Sequence, residues 1–448
     1  MTRFAGRGNK GEGMSSRKRV LLCVGIVMLL CLGTVAAVGC GSHEESASPE
    51  STASASTRYA EQFPLQYETL QQTRVNAKGI TVGHAAEHLA EICEAPTVRD
   101  ANGDPVLDQD GSVQMVEAAF NPETDTYDIN RLSDEQLAEM NLRSGCVACK
   151  TTHFDDIYAQ QGAAAFGNVY NAEARAIVGG DYFDCALCHV GEPDSGELKA
   201  NLSFWQATGG SFAARLDPRI GICAQCHNYS DYRSSIETED DLRSIDMYRN
   251  GYDIDALFET SWEDGVNFDV DEKTGIAESY VLHPTVELFK DTRMEELGVT
   301  CVDCHMPKAK AEDGAEYTDH FSAKSPLESD DSLAYCLTCH ERQGTKTADD
   351  MAAYTRERQR ELAEGMADLQ KRESAFKAAL VEAVGERGKD DPSLDEPKEL
   401  YAKATWYDKC LETGPNESPG SQAAMLDWRS ILEKAQAACD EGMAALGR

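Results

Sequence analysis

The chain has 448 residues, with 42 Lys and Arg against 78 Asp and Glu, a net charge of −36 and a pI of 4.6. That length can hold roughly two or three domains with a sizeable core, and the acidity excludes a nucleic-acid-binding surface, which needs a basic footprint. A mean hydropathy of −0.46 excludes a polytopic membrane protein, and 16 clustered cysteines in so long a chain point to a metal or cofactor rather than a disulfide framework.

Residues 1–40 read as an export signal. Arg17-Lys18-Arg19 precede an uncharged, mostly apolar run from Val20 to Val38, followed by Gly39-Cys40-Gly41. Basic residues, an apolar stretch and small residues make a targeting segment. The run is also long enough to span a bilayer. Ala37-Val38-Gly39-Cys40 resembles a bacterial lipoprotein cleavage box, with Cys40 as the lipidated residue. Lipidation, an uncleaved anchor and plain cleavage all place the body outside the cytoplasm, and the first two tie it to a membrane. Residues 41–57 hold six Ser, three Ala and no large apolar side chain, the composition of a flexible tether.

A turn-rich excursion over Asp100–Gln114 suggests a hairpin. Ser133–Asn141 reads as a helix with Ser133 at its N-cap and Gln136 at the capping-box position. Five CxxC motifs then follow. The first is Cys146-Val147-Ala148-Cys149-Lys150; the others pair Cys185/Cys188 with His189, Cys223/Cys226 with His227, Cys301/Cys304 with His305 and Cys336/Cys339 with His340. Two thiols three positions apart can form thioethers to the two vinyl groups of one haem, and the next residue then reaches the iron as proximal ligand. Zinc is the competing reading. It prefers four ligands from paired knuckles; five knuckles do not pair, and zinc does not ask for His directly after the second Cys. A thioredoxin-like redox pair needs one CxxC. The motifs therefore predict five covalently bound c-type haems. Their maturation outside the cytoplasm agrees with the leader. Of the remaining cysteines, Cys410 and Cys439 could pair or stay as buried, inert thiols, and Cys93 reads as inert too.

From Asp349 to Glu386 the pattern becomes a long charged helix, with Met351, Tyr354, Leu362, Met366, Leu369 and Phe376 on its apolar face. Gly388–Pro397 breaks it. Further helices are predicted over Leu400–Leu411 and Ser421–Leu446. The fold class is mainly α: loops and short helices around five haems over residues 58–345, and a C-terminal helical region with a long-helix hairpin over residues 346–448.

The order CxxCK and then four CxxCH resembles pentahaem cytochrome c nitrite reductase, the ammonia-forming family. Trp262-Glu263-Asp264-Gly265 precedes His283-Pro284, and His283 lies 18 residues before Cys301, as the pocket His of that family does. Cys301 to Lys308 ends in His305-Met306-Pro307-Lys308, and Thr318-Asp319-His320 places a His 15 residues past His305, again as in the family. The resemblance implies nitrite reduction by six electrons to ammonium at the haem ligated by Lys150, with the other haems conducting electrons. It implies a distal pocket of His, Tyr and Arg. His283 matches the His. Tyr229 is the preferred Tyr and Tyr232 its alternative. Arg99, after Gly83-His84, is the preferred Arg, with Arg131 and Arg143 as rivals. Positive charge and proton donors are what anion binding and N–O cleavage need.

His320 matches the distal ligand of the second haem and His84 that of the third, with His88 as the alternative. The family's distal His of the fifth haem falls on Met294, which predicts His340/Met294 ligation there. The fourth haem, on His305, has no matching His; Met425 is a weak substitute. His153 reads as a surface or haem-edge side chain, with a proton-relay role open. The calcium that braces the family's pocket is not expected, because Tyr280 and Leu282 stand where it uses Lys and Gln, and the Glu beside the Tyr is absent. A membrane quinol-oxidising multihaem cytochrome is the implied donor, and a homodimer built on the long helix the implied assembly. The alternative function is a pentahaem electron carrier serving another terminal reductase; a different oxyanion, such as sulfite, is the variant substrate.

Overall fold

Each haem motif folds as a helical turn, because a Cys, a second Cys three residues on and the residue after it share one face only when the backbone coils. Cys146 sits in the turn Ser144–Val147, Cys185 in Cys185–Leu187 and Cys223 in the helix Pro218–Ala224. Cys301–His305 and Asp330–His340 are helices that contain their whole motifs. The His189 and His227 amides close their turns onto Cys185 and Cys223 carbonyls, each at 2.9 Å. The computed structural model describes residues 59–73, 120–121, 126–127, 132–139, 142–179, 182–191, 195–229, 236–280, 284–412 and 427–448. The predicted hairpin at Asp100–Gln114 and the leader lie outside them. Among the described residues no helix is long and apolar enough to cross a membrane.

The helix predicted at Ser133 runs Asp134–Glu139, and its capping box forms: the Gln136 amide donates to Ser133 Oγ at 3.3 Å, and the Ser133 amide donates to Gln136 Oε1 at 2.9 Å. Leu137, Leu142, Val147, Phe154, Ile157, Phe166 and Tyr170 then form a buried cluster around the first motif. Gly145 is required there: a Cβ on it would lie 2.7 Å from the Phe166 carbonyl oxygen.

Short antiparallel hairpins interrupt the loops, pairing Phe268–Val270 with Ala277–Ser279 and Lys308–Lys310 with Glu316–Thr318. The first is closed by an Asp271-to-Gly275 turn, in which Asp271 Oδ1 accepts from the Lys273 and Thr274 amides. These strands are too brief for a periodicity argument to find them.

The long helix is Ala348–Arg387, 40 residues, about 60 Å at the α-helical rise. Thr347 caps it, in a reciprocal box with Asp350, and Gly388 at φ 88° ends it. Five of its six predicted apolar-face residues are buried; Tyr354 is 47% exposed. Tyr354 instead faces the His340 ring, with centroids 6.1 Å apart. Helices Asp395–Leu411 and Trp428–Ala445 pack back along it. Residues 421–426 of the predicted last helix lie outside the described residues. Cys410 and Cys439 are buried free thiols, as the inert reading expects. Burial pushes Cys439 up to about 12 and Cys410 upward as well. One hydrophobic core runs from Leu187 to Leu446 and unites the middle haem motifs with the C-terminal helices. Trp406 is its centre: fully buried, its Nε1 donates to the Ile254 carbonyl at 2.9 Å.

Candidate haem centres

The five motifs come together through their thiols. Cys226 shares a hydrogen bond with Cys149, and Cys223 with Cys301. Cys304 interacts electrostatically with Cys336, and Cys188 with Cys223 and Cys226. The motifs are therefore ordered first, third, fourth, fifth in space, with the second beside the third. Burial pushes Cys188 and Cys304 up to about 12. Such thiols are neutral at physiological pH and fit covalent attachment better than a thiolate-bound metal.

The second centre is the most complete. The His189 and His320 rings face each other at 6.3 Å between centroids, their planes 27° apart. Two nitrogen–metal bonds of about 2 Å each, plus the half-width of each ring, fill that distance. His320 Nδ1 bonds the Thr318 carbonyl at 2.9 Å, which leaves Nε2 to act as a ligand. Burial holds both imidazoles below their ordinary range, and so neutral, the form that binds metal. Among the described residues the buried His189 Nδ1 has no hydrogen-bond partner. A haem held between these two side chains fits. At the fourth centre His305 Nδ1 lies 3.3 Å from the Ser322 carbonyl, again orienting the ring through its second nitrogen.

Lys150 is half-buried, with its carbonyl accepting from the Phe183 amide at 2.9 Å. Its ammonium lowers the pKa of the Cys226 thiol, so first and third motifs meet on its side. Tyr229 is fully buried in the aromatic cluster around Trp406, and its hydroxyl donates to the Met247 carbonyl at 2.5 Å. His283, Arg99, His84, His88, Tyr232, Arg131, Leu282 and Met425 lie outside the described residues. The residues after His283 are close to the third motif: the Val286 amide donates to the His227 carbonyl at 3.1 Å. Arg143 sits in a bridge with Val169 just before the first motif. His153 pairs with Asp156 at 3.0 Å, the surface role expected of it. Met294 is half-buried in the short helix Arg293–Glu296.

Glu287 was not legible in the sequence. It is 5% exposed, and its Oε1 accepts from the Tyr229 amide at 3.1 Å and the Tyr248 hydroxyl at 2.8 Å. Burial pushes it up to about 7. No local pattern announces it, because its partners are 58 and 39 residues away.

A helical chain that gathers CxxC turns with a His or Lys behind each defines a multihaem c-type cytochrome. The sequence profile described as cytochrome c552 matches residues 120–436, most of the chain, and the chain belongs to that family. It carries covalently bound c-type haem. It is 33% identical over 153 residues to cytochrome c-552 of Haemophilus influenzae, covering 33% of this chain and 25% of that one. It is 29% identical over 214 residues to cytochrome c-552 of Aliarcobacter butzleri, covering 44% of this chain and 41% of that one. The matched stretches thus span less than half the length of these curated relatives. Cytochrome c nitrite reductase of Desulfovibrio desulfuricans, a solved structure with two calcium sites in its catalytic subunit, superposes with a TM-score of 0.60 at 16% identity, covering 88% of this chain and 86% of that one. The two share a fold.

Proposed function

We propose that this chain is an ammonia-forming nitrite reductase, with five haems attached at its five CxxC motifs and nitrite reduced by six electrons at the first. The observation that carries this reading is Lys150, a Lys-ended motif at the head of a contiguous series of attachment sites. When bound, haem iron supplies the electrons and an open coordination position. Lys150 supplies a neutral amine on the proximal side. His283, Tyr229 and Arg99 supply proton donors and the positive charge that holds an anion. His189, His227, His305 and His340 are the other proximal ligands, with His320 and His84 opposite the first two.

At the fifth centre we assign Met294 opposite His340. A thioether stabilises ferrous iron, so this haem has the highest potential of the series. A charge-transfer band at the red end of the oxidised spectrum, lost in Met294→Ala, is its signature, and a spectrum without that band in the intact protein removes the assignment. Calcium stays out of this reading. The one carboxylate beside Tyr229, Glu287, is held protonated up to about pH 7 by burial, and a neutral carboxyl is a poor ligand for a hard cation. The exposed Tyr354 and Val381 of the long helix support a homodimer built on it. The leader supports an extracytoplasmic, lipid- or membrane-anchored location, and a membrane quinol-oxidising multihaem cytochrome as electron donor.

One observation favours electron transfer to another reductase instead: the Tyr229 hydroxyl points at a backbone carbonyl inside the core. The deciding experiment supplies the haem-loaded protein with nitrite and a reduced viologen dye and measures ammonium. Ammonium formed in proportion to dye oxidised supports the reductase; dye-reduced protein that forms no ammonium makes it a carrier.

A further inference from the structure

The N-terminal helix Pro64–Gln72 touches two haem centres through two hydroxyls. Thr69 and Thr73 lie one turn apart and so on one face. Thr69 Oγ1 accepts from the His320 amide at 2.9 Å, and its own proton goes to the Leu65 carbonyl at 2.9 Å. Thr73 Oγ1 donates to the His320 carbonyl at 2.6 Å and accepts from the Ser322 amide at 3.0 Å. These bonds join segments 247 to 251 residues apart. Thr73 is fully buried, so water cannot replace its hydroxyl and its loss leaves a donor and an acceptor unpaired.

His320 is thus held on both sides of its own Cα, while its Nδ1 is fixed by Thr318. Ser322, held by the same Thr73 hydroxyl, offers its carbonyl to His305 Nδ1 at 3.3 Å. We propose that Thr69 and Thr73 form a clamp that positions the haem ligands, Thr69 for His320 alone and Thr73 for His320 and His305 together. The inference rests on the reading of His320 and His305 as ligands of the second and fourth haems. Neither threonine touches a haem ligand's imidazole; both are positioning residues, acting through the backbone of the loop 318–322. The shared hydroxyl makes one buried group a common support for two centres on either side of the third.

The test uses the full haem-loaded chain and the variants Thr69→Val and Thr73→Val, which keep the β-branched shape and remove the hydroxyl. His320→Ala and His305→Ala first identify the paramagnetic-resonance signals and reduction midpoints of the second and fourth haems. Thr69→Val is expected to shift the second haem's signal alone. Thr73→Val is expected to shift both, with five haems still attached, and Thr73→Ser to restore them. Should Thr73→Val assemble too poorly to read, Thr73→Cys replaces it, with a weaker donor of similar size. Valine variants with unmoved signals overturn the clamp, and so does a Thr73→Val that moves only the second haem. If His320→Ala itself leaves every signal unchanged, the ligand reading fails instead.

Discussion

A single lysine separates the first centre from the other four. An amine ligates iron only when it has lost its proton, which the metal and partial burial together must enforce. The backbone around it is held firmly. Phe183, whose amide grips the Lys150 carbonyl, sits at φ 47°, a region that non-glycine residues avoid. Strain of that kind persists only where the surroundings over-determine it. Here Asp184 caps the second motif on one side, and the Tyr182 hydroxyl meets that of Tyr170 on the other. Lys150→His is therefore expected to retain all five haems, because the thioethers do not depend on it, and to lower nitrite turnover by about tenfold or more. Ammonium formation at the unmodified rate would remove Lys150 from the reacting site.

Between elements, what was legible and what was not divides by sequence distance. The Ser133–Gln136 box and the long helix up to its break at Gly388 were readable, because propensity and capping act within a few residues. The contacts that bind the elements together were not: Thr69 to His320, Glu287 to Tyr229 and Trp406 to Ile254 each join residues at least 58 apart. Tyr354 fell on the apolar periodicity, yet it faces His340 rather than the bundle. The bundle interface itself carries two predictions. A Cβ on Gly442 would lie 2.0 Å from the buried Phe376 ring, so Gly442→Ala should cost about 1–3 kcal/mol by overpacking, measured by denaturant unfolding. Unchanged stability would mean that the two helices can part freely. On the long helix, Glu373 faces Asp408 of the next helix, with Lys409, Glu412 and Glu278 around it. Burial, and then the negative charge of Asp408, pushes Glu373 up to about 8 from an ordinary 4.5. The folded carboxyl keeps a proton that the unfolded one releases, so its contribution is full below about pH 4.5 and is lost as pH rises through about 8. The thermal midpoint should fall across that window, and Glu373→Gln should flatten the fall. A variant whose profile matches the parent's would show that the carboxyl does not titrate with folding.

At the scale of the whole molecule, the series of thiol contacts and the charge act together. The motifs run from the Lys150 site through the third and fourth to the fifth, where Cys339 is exposed and His340 meets solvent beside Tyr354. Electrons entering from a partner must first reach a surface that carries a net charge of −36. A charge of that size attracts cations and repels anions over a distance set by salt, about 10 Å at 0.1 M. Reduction by a cationic dye should therefore slow as ionic strength rises, while reduction by an anionic dye of similar potential should quicken. Stopped-flow reduction of the haem-loaded protein over a range of salt concentrations reads both slopes. Opposite slopes mean that the entry surface shares the sign of the whole molecule and that its natural donor presents a basic face. Slopes of the reverse sign would place a locally basic patch at the entry point, and the overall charge would then be irrelevant to the choice of partner.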